Sequence, residues 1–429
     1  MTPSAAVRIR KTVRLSFVPL TDAAPLIAAR ELGYFRRHGL DVELSRETSW
    51  ASVRDKMQTG MVDGSLLLAS MPLSLSLGIT HGKIDIVTGL VLSLNGNGIT
   101  VSRTLYKDMD LTGLLGDGSP AGAGQALKAV IDHRRALGKP RLCFASVYLT
   151  STHYYLLRYW MAAAGINADA DVRFVVIPPP RMAESLDSGL IDGCCVGEPW
   201  NHRAVHEGAG HIVLAGYDVW NNAPEKVLAV RRDWLQSNRS TYVDLSAALI
   251  EAAAWIDSPE NRREVASMLA QQHYLNVPED IVACSLTGQM LGETSTPARQ
   301  IPDFHVFSRY TANFPWLSHA EWFLTQMIRW GHLAQGIDIR EAAAGVYLPD
   351  VYRQTAAALG ITAPTVNYKS EGTHSLTRML DGVAHGPNLF IDNAPYDCDR
   401  PHEYLVRQQE ADRLTGRRER IGPVVHAMR

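Results

Sequence analysis

Net charge, disulfide pairing and long apolar runs are all scarce in this sequence, and each scarcity removes a class of function. The 42 Lys and Arg residues are balanced by 44 Asp and Glu among 429 residues, for a formal net charge of −2. No positive field is left over to draw in nucleic acid or an anionic lipid surface. Any anion the protein binds must therefore be held by a local site. The five cysteines are Cys143, Cys194, Cys195, Cys284 and Cys398. An odd number with a vicinal pair makes a poor disulfide framework and offers no C-x-x-C pair for zinc. No stretch approaches the roughly 18 consecutive apolar residues of a membrane span. The opening MTPSAAVRIRKTVRLSFVPLTDAAPLIAAR has no apolar core followed by a small-residue cleavage site, and the first cysteine is Cys143, so no lipobox is present. With the sequence taken as the whole gene product, a cytoplasmic protein is expected.

Catalytic signatures are equally sparse. Asn95-Gly-Asn-Gly-Ile-Thr is not a G-x-G-x-x-G loop, and neither a G-x-x-x-x-G-K-[ST] phosphate loop nor H-E-x-x-H nor G-x-S-x-G occurs. His202 and His206 have i, i+4 spacing but lack an intervening Glu and a third ligand, and read as surface or helix-capping histidines. Cys194-Cys195 reads as two small hydrophobes in an apolar strand. No enzyme activity, metal or cofactor is expected.

What the sequence does contain is alternation. Short β-branched runs alternate with helical patterns through about residue 235, the signature of an α/β protein with largely parallel sheets. Candidate strands are 13–19, 42–47, 64–69, 84–92, 141–145, 172–177, 194–196, 211–215 and 227–230. Candidate helices cover 23–37, 52–59, 124–137, 150–164 and 181–188. From about Ser240 the pattern is helical, at 245–256, 259–271 and 320–333. The charged run Arg413 to Arg420 reads as a solvated tail. An internal echo links Gln58-Thr-Gly-Met-Val-Asp-Gly with Asp187-Ser-Gly-Leu-Ile-Asp-Gly, each a helix end, a Gly C-cap and an Asp-Gly turn into a buried strand. Two similar α/β units imply two lobes, with a ligand cleft at the carboxyl ends of the strands.

Several stretches carry a specific resemblance. They are Thr48-Ser-Trp-Ala-Ser-Val-Arg-Asp-Lys, Leu94-Asn-Gly-Asn-Gly-Ile-Thr-Val and Thr152-His-Tyr-Tyr-Leu-Leu-Arg-Tyr-Trp, followed by Val196-Gly-Glu-Pro-Trp and Pro224-Glu-Lys. In this order the chain resembles the nitrate/bicarbonate solute-binding family of ABC transporters, and within it the cytosolic nitrate/nitrite sensors of the NasS type. The resemblance implies an α/β, two-lobed type II periplasmic-binding-protein fold with a helix-rich C-terminal part. One lobe is expected from residues 1–100 plus about 225–429, and the other from about 101–224.

The resemblance also implies a set of ligand-binding residues. Trp50, His153 and Lys226 fall on the family's anion-contacting tryptophan, histidine and lysine. Lys226 argues for nitrate or nitrite without metal, because bicarbonate binders carry an acidic residue there. Asn97 stands where transporter-type nitrate binders have Gln, and either a water or the Gly96 and Gly98 backbone N–H groups would supplement its shorter reach. Arg54 and Glu198 are placed behind these contacts, with Glu198 orienting His153 or Lys226. A protein of this branch would hold an ANTAR-domain RNA-binding antiterminator (NasT-like) and release it on anion binding, with no direct contact to nucleic acid or membrane. The alternative is a receptor serving the permease of a nitrate ABC transporter.

Overall fold

The computed structural model describes residues 11–80, 82–116, 118–291 and 298–414. Two sheets organise it. In the first half the strands are β1 (Lys11–Phe17), β2 (Leu40–Arg46), β3 (Gly64–Leu68), β4 (Ile86–Asn95) and β5 (Asn97–Ser102). They are followed by β6 (Leu142–Ser146), β7 (Val172–Val176), β8 (Gly193–Gly197), β9 (Gly210–Ala215) and β10 (Pro224–Arg231). Short strands β11 (Gln289–Met290), β12 (Arg299–Gln300), β13 (His305–Val306), β14 (Arg378–Leu380) and β15 (Val383–His385) come later.

One large sheet has the order β13-β4-β10-β3-β1-β2 and the other β7-β6-β8-β5-β9. Each begins as a parallel β-α-β-α-β unit, β1 to β3 and β6 to β8. Into each is inserted one antiparallel strand, β10 or β5, that arrives directly from the other sheet. The echoed sequences end in β3 and β8, which occupy the same place in the two sheets. The largely parallel sheets expected from the strand runs are thus mixed. A parallel sheet buried on both faces requires near-continuous apolar strands, and β3, β4 and β8 are buried along their whole length.

The chain passes between the sheets at Gly96 and again between Ala215 and Pro224. The first crossing thus precedes the expected boundary at residue 100, which falls inside β5. Asn95-Gly-Asn-Gly, read as a loop motif, spans the end of one strand and the start of the next. The helix expected over 23–37 is broken at Gly33, whose φ of +76° ends Ala24–Glu31 before Tyr34–Arg37 begins.

Beyond Arg231 the chain is helical, with Arg239–Asp257 lying against both Ala24–Glu31 and Pro349–Leu359. It ends in an arm that returns to the second crossing. Asn221 donates its N–H to the Leu389 carbonyl at 3.0 Å, and Ile391 donates to Val219 at 2.9 Å. The arm also reaches the helix Thr152–Ala163 of the second sheet, where the Tyr159 hydroxyl donates to Asp392 at 2.9 Å. The C-terminal part therefore packs on both halves and not on the first alone. Of the charged run from Arg413 to Arg420, all beyond Leu414 lies outside the described residues. No described helix is long and apolar enough to cross a membrane.

Candidate functional site

Two helices aim their N-termini into the space between the sheets. Trp50–Gln58 is capped by Ser49, whose hydroxyl accepts the Ser52 N–H at 3.2 Å. Thr152–Ala163 is capped by Ser151, which accepts from Tyr154 at 3.0 Å. A capped N-terminus still presents free N–H groups and the positive end of the helix dipole, which favours an anion. Trp50 and His153 sit in these first turns, and both are buried. Neither the Trp50 Nε1 nor the His153 Nδ1 has a hydrogen-bond partner. A buried donor left unpaired costs about 1–3 kcal/mol, so the Trp50 N–H is poised for an acceptor, and His153 Nδ1 joins it as a donor when that nitrogen carries a proton.

Lys226 in β10 lies beside them, fully buried, with its Nζ 5.9 Å from the centre of the Trp50 ring. It is not a lone cation. Its Nζ donates to Asp22 Oδ2 at 3.0 Å and to Glu225 Oε1 at 2.6 Å. An ammonium has three donors, so one remains. Glu225 Oε1 also lies 2.5 Å from His153 Nε2, and Oε2 accepts from Asn97 Nδ2 at 3.1 Å. Asp22 is steadied by the Ser93 hydroxyl at 2.8 Å. The result is a connected network of Asp22, Lys226, Glu225 and His153, reached from three separate segments.

The electrostatics follow from burial and pairing. Burial pushes the Asp22 carboxyl up against the pull of Lys226, and the neighbouring Glu225 adds to the rise. For Glu225 burial works in the same direction, yet His153 and Lys226 outweigh it and hold this carboxyl down at about 2. Burial would lower Lys226, but the two carboxylates raise it above its ordinary value. The site thus keeps a charged lysine out of water, and it adds the unpaired Trp50 N–H, the unpartnered His153 Nδ1 and two helix N-termini. That combination is chemically suited to a small anion.

The other expected residues divide. Asn97 belongs to the site, although its amide is turned to Glu225. Gly96 is needed for close approach: its φ is +85°, and a Cβ there would lie 2.5 Å from the His305 ring and 3.0 Å from Asp22. Gly98 does not offer a free backbone donor, because β5 pairs it with Val196 on one side and Ala215 on the other. Glu198 orients neither His153 nor Lys226; its carboxylate lies 2.8 Å from His202 Nδ1, and Glu225 takes the role expected of it. His202 is consequently a fully buried partner of Glu198, not a surface or capping residue. Arg54 pairs with Asp55 at 2.6 Å and meets the Tyr148 hydroxyl. Cys194 and Cys195 are buried in β8, and burial pushes the Cys194 thiol up to about 12.

Asp22 and Glu225 were not among the expected site residues. Glu225 directly precedes Lys226 in the quoted Pro224-Glu-Lys motif, and Asp22 follows β1 at the same cleft-facing end as Trp50. Their role is invisible in sequence because a carboxylate is an unexpected neighbour for an anion. Among the described residues, the group close enough to share a metal ion is Asp397, Cys398 and Asp399, in the C-terminal arm and not at this site.

Comparisons with known proteins agree with this architecture. The model of the NMT1-like family matches residues 9–270. The nitrate/nitrite binding protein NrtA of Nostoc sp. is 30% identical over 397 residues, covering 91% of this chain and 84% of its own. The nitrate import ATP-binding protein NrtC of Synechocystis sp. is 34% identical over 87% of this chain, but the chain spans only 53% of that protein. The crystal structure of the periplasmic nitrate-binding protein NrtA from Synechocystis PCC 6803 superposes with a TM-score of 0.82 at 28% identity, covering 92% of this chain and 98% of that one. The aliphatic sulphonate binding protein SsuA of Escherichia coli shares the fold at a TM-score of 0.51 and 13% identity, over 79% of this chain and 92% of its own.

Proposed function

The chain belongs to the NMT1-like family and has the type II periplasmic-binding-protein fold, and on that premise we propose that it is a binding protein, not an enzyme, whose ligand is nitrate or nitrite. The observation that carries the reading is the buried Lys226 set between the unpaired Trp50 Nε1 and His153 Nδ1. A planar, weakly basic monovalent anion suits several neutral donors and one cation whose charge is already shared with Asp22 and Glu225. Calorimetric titration of the purified chain with sodium nitrate and sodium nitrite tests it. Saturable binding at one site is expected, and no heat and no thermal stabilisation with either salt overturns it.

The finer part of the proposal is a cytoplasmic sensor that holds an ANTAR-domain antiterminator without ligand and releases it when the anion binds. Its support is the sequence resemblance to the sensor branch. Linkage then requires that partner and anion weaken each other's binding by the same factor. A second reading, a receptor that delivers the anion to an ABC permease, is favoured by the similarity to the two NrtA proteins. Co-purification from cells grown without nitrate separates them: an RNA-binding partner released by added nitrate supports the sensor, and association with a permease in membranes supports the receptor.

A further inference from the structure

A second pocket lies where the C-terminal arm meets the two crossings. It measures about 20 Å³, room for one or two water-sized groups. Leu94, two residues before Gly96, and Asn222, two residues before Pro224, form its inner wall, and Lys369, His319 and His385 supply its polar lining.

Three observations point to a ligand here. First, the His319 Nδ1 and His385 Nε2 atoms have no hydrogen-bond partner, although these residues are only 3% and 4% exposed. Second, the nearby carboxylate is already satisfied. Glu371 Oε1 accepts from the Ser318 hydroxyl at 2.7 Å and lies 3.4 Å from His319 Nε2, while Oε2 is taken by Lys369 Nζ and Asn388 Nδ2. What remains facing the pocket is a pair of imidazole nitrogens without a partner, which become N–H donors when the rings take up a proton. Third, Asn222, Tyr310 and Thr311 all line it with positive φ, of 59°, 64° and 58°. That conformation is a genuine outlier for β-branched Thr, and held strain of this kind clusters at ligand clamps. Gly386 closes the cradle, since a Cβ there would lie 2.4 Å from the Tyr310 ring.

We propose that this pocket is a second anion site, one that takes a small monovalent inorganic anion against Lys369, His319 and His385. Binding there draws in a proton. Burial, with Lys369 adding to it, pushes His385 down to about 4; burial likewise brings His319 down to about 3 despite the opposing pull of Glu371. The charged and titratable groups around His319 are Glu371, Lys369 and His385; those around His385 are Lys369, Glu371, Arg378 and His374. An anion offsets part of the burial that keeps the imidazoles neutral.

The test follows the His319 and His385 ring nitrogens of the full chain by NMR during titration with sodium nitrate and sodium chloride, with sodium methanesulfonate as an anion too large for the cavity. Chloride is expected to raise the apparent pKa of one imidazole saturably by about one unit, a tenfold change in proton affinity, whereas nitrate, with four heavy atoms, should leave both rings unchanged. Methanesulfonate should likewise leave them unchanged, and Lys369→Met should abolish the chloride response; His385→Asn replaces it if that variant fails to fold. Ring signals that never move saturably, as for a pocket holding water only, overturn the proposal, as does a response that survives both variants. The Trp50 indole N–H reports the first site in the same titration, so failure at one site is distinguishable from failure at the other.

Discussion

Asp22 and Glu225 keep Lys226 charged in a place no solvent reaches, and that arrangement separates binding from stability residue by residue. Trp50 contributes a donor that nothing else in the protein uses. Trp50→Phe keeps the ring against Lys226 and removes only the N–H. A hydrogen bond to a charged group is worth about 1.5–3 kcal/mol, so nitrate affinity should fall at least roughly tenfold in calorimetry while the melting temperature stays unchanged. Wild-type affinity in this variant would remove Trp50 from the site. Lys226 behaves differently, because its removal strands two buried carboxylates. Breaking a buried pair from one side costs about 3–5 kcal/mol, so urea unfolding of Lys226→Met should show a loss of that order. Adding Asp22→Asn should recover part of it, since one uncompensated charge then disappears. A double variant no more stable than the single one would mean that Asp22 is not what Lys226 neutralises.

Among the elements, β5 decides how the two halves are joined, and Gly96 decides how β5 begins. A side chain at φ +85° is strained by about 1–3 kcal/mol, and here it would also strike His305 and Asp22. Gly96→Ala should therefore lower the urea midpoint clearly. Gly98→Ala, whose Cβ would meet Asn201 at an ordinary 3.4 Å, should stay within about 1 kcal/mol, the usual range for a tolerated substitution. Equal losses would place the constraint in β5 pairing and not in the turn. The nine strand runs read from the sequence all reappear: β3, β4 and β8, buried along their whole length, leave an unbroken apolar signal, and partly exposed strands such as β2 keep an alternating one. β5 was omitted, as were the short strands β11 to β15: Asn97-Gly-Ile-Thr-Val-Ser carries three polar residues although it is buried throughout, and it is specified by pairing with β8 and β9 about 92 to 117 residues away. Trp50, His153 and Lys226 were legible because each sits in a local motif. The Asp22–Lys226 pair was not, since its partners lie 204 residues apart.

Across the whole molecule the halves meet closely at the front. The Trp200 indole donates to the Pro19 carbonyl at 2.8 Å, and Thr21 donates its N–H to Glu198 at the same distance. At the back the C-terminal arm sets Glu371 and His385 near His319, and with Glu225 of the first site these buried groups set the stability of the chain against acid. Burial opposes the charge on Glu225 and Glu371, but their partners hold both at about 2, below the ordinary 4.5. Burial holds His319 at about 3 and His385 at about 4, below the ordinary 6.5. In all four the folded pKa lies under the unfolded one, so the unfolded chain takes up protons first as pH falls. Their stabilisation is complete above about pH 6.5 and is lost below it, through the histidines down to about 3 and through the glutamates from about 4.5 to 2. Urea unfolding should therefore show stability falling already between about pH 6.5 and 5, before carboxylates titrate. The double variant His319→Gln, His385→Gln should flatten that upper part of the profile and leave the lower part in place. A wild-type profile level down to about pH 5 would mean that these histidines are protonated in the fold.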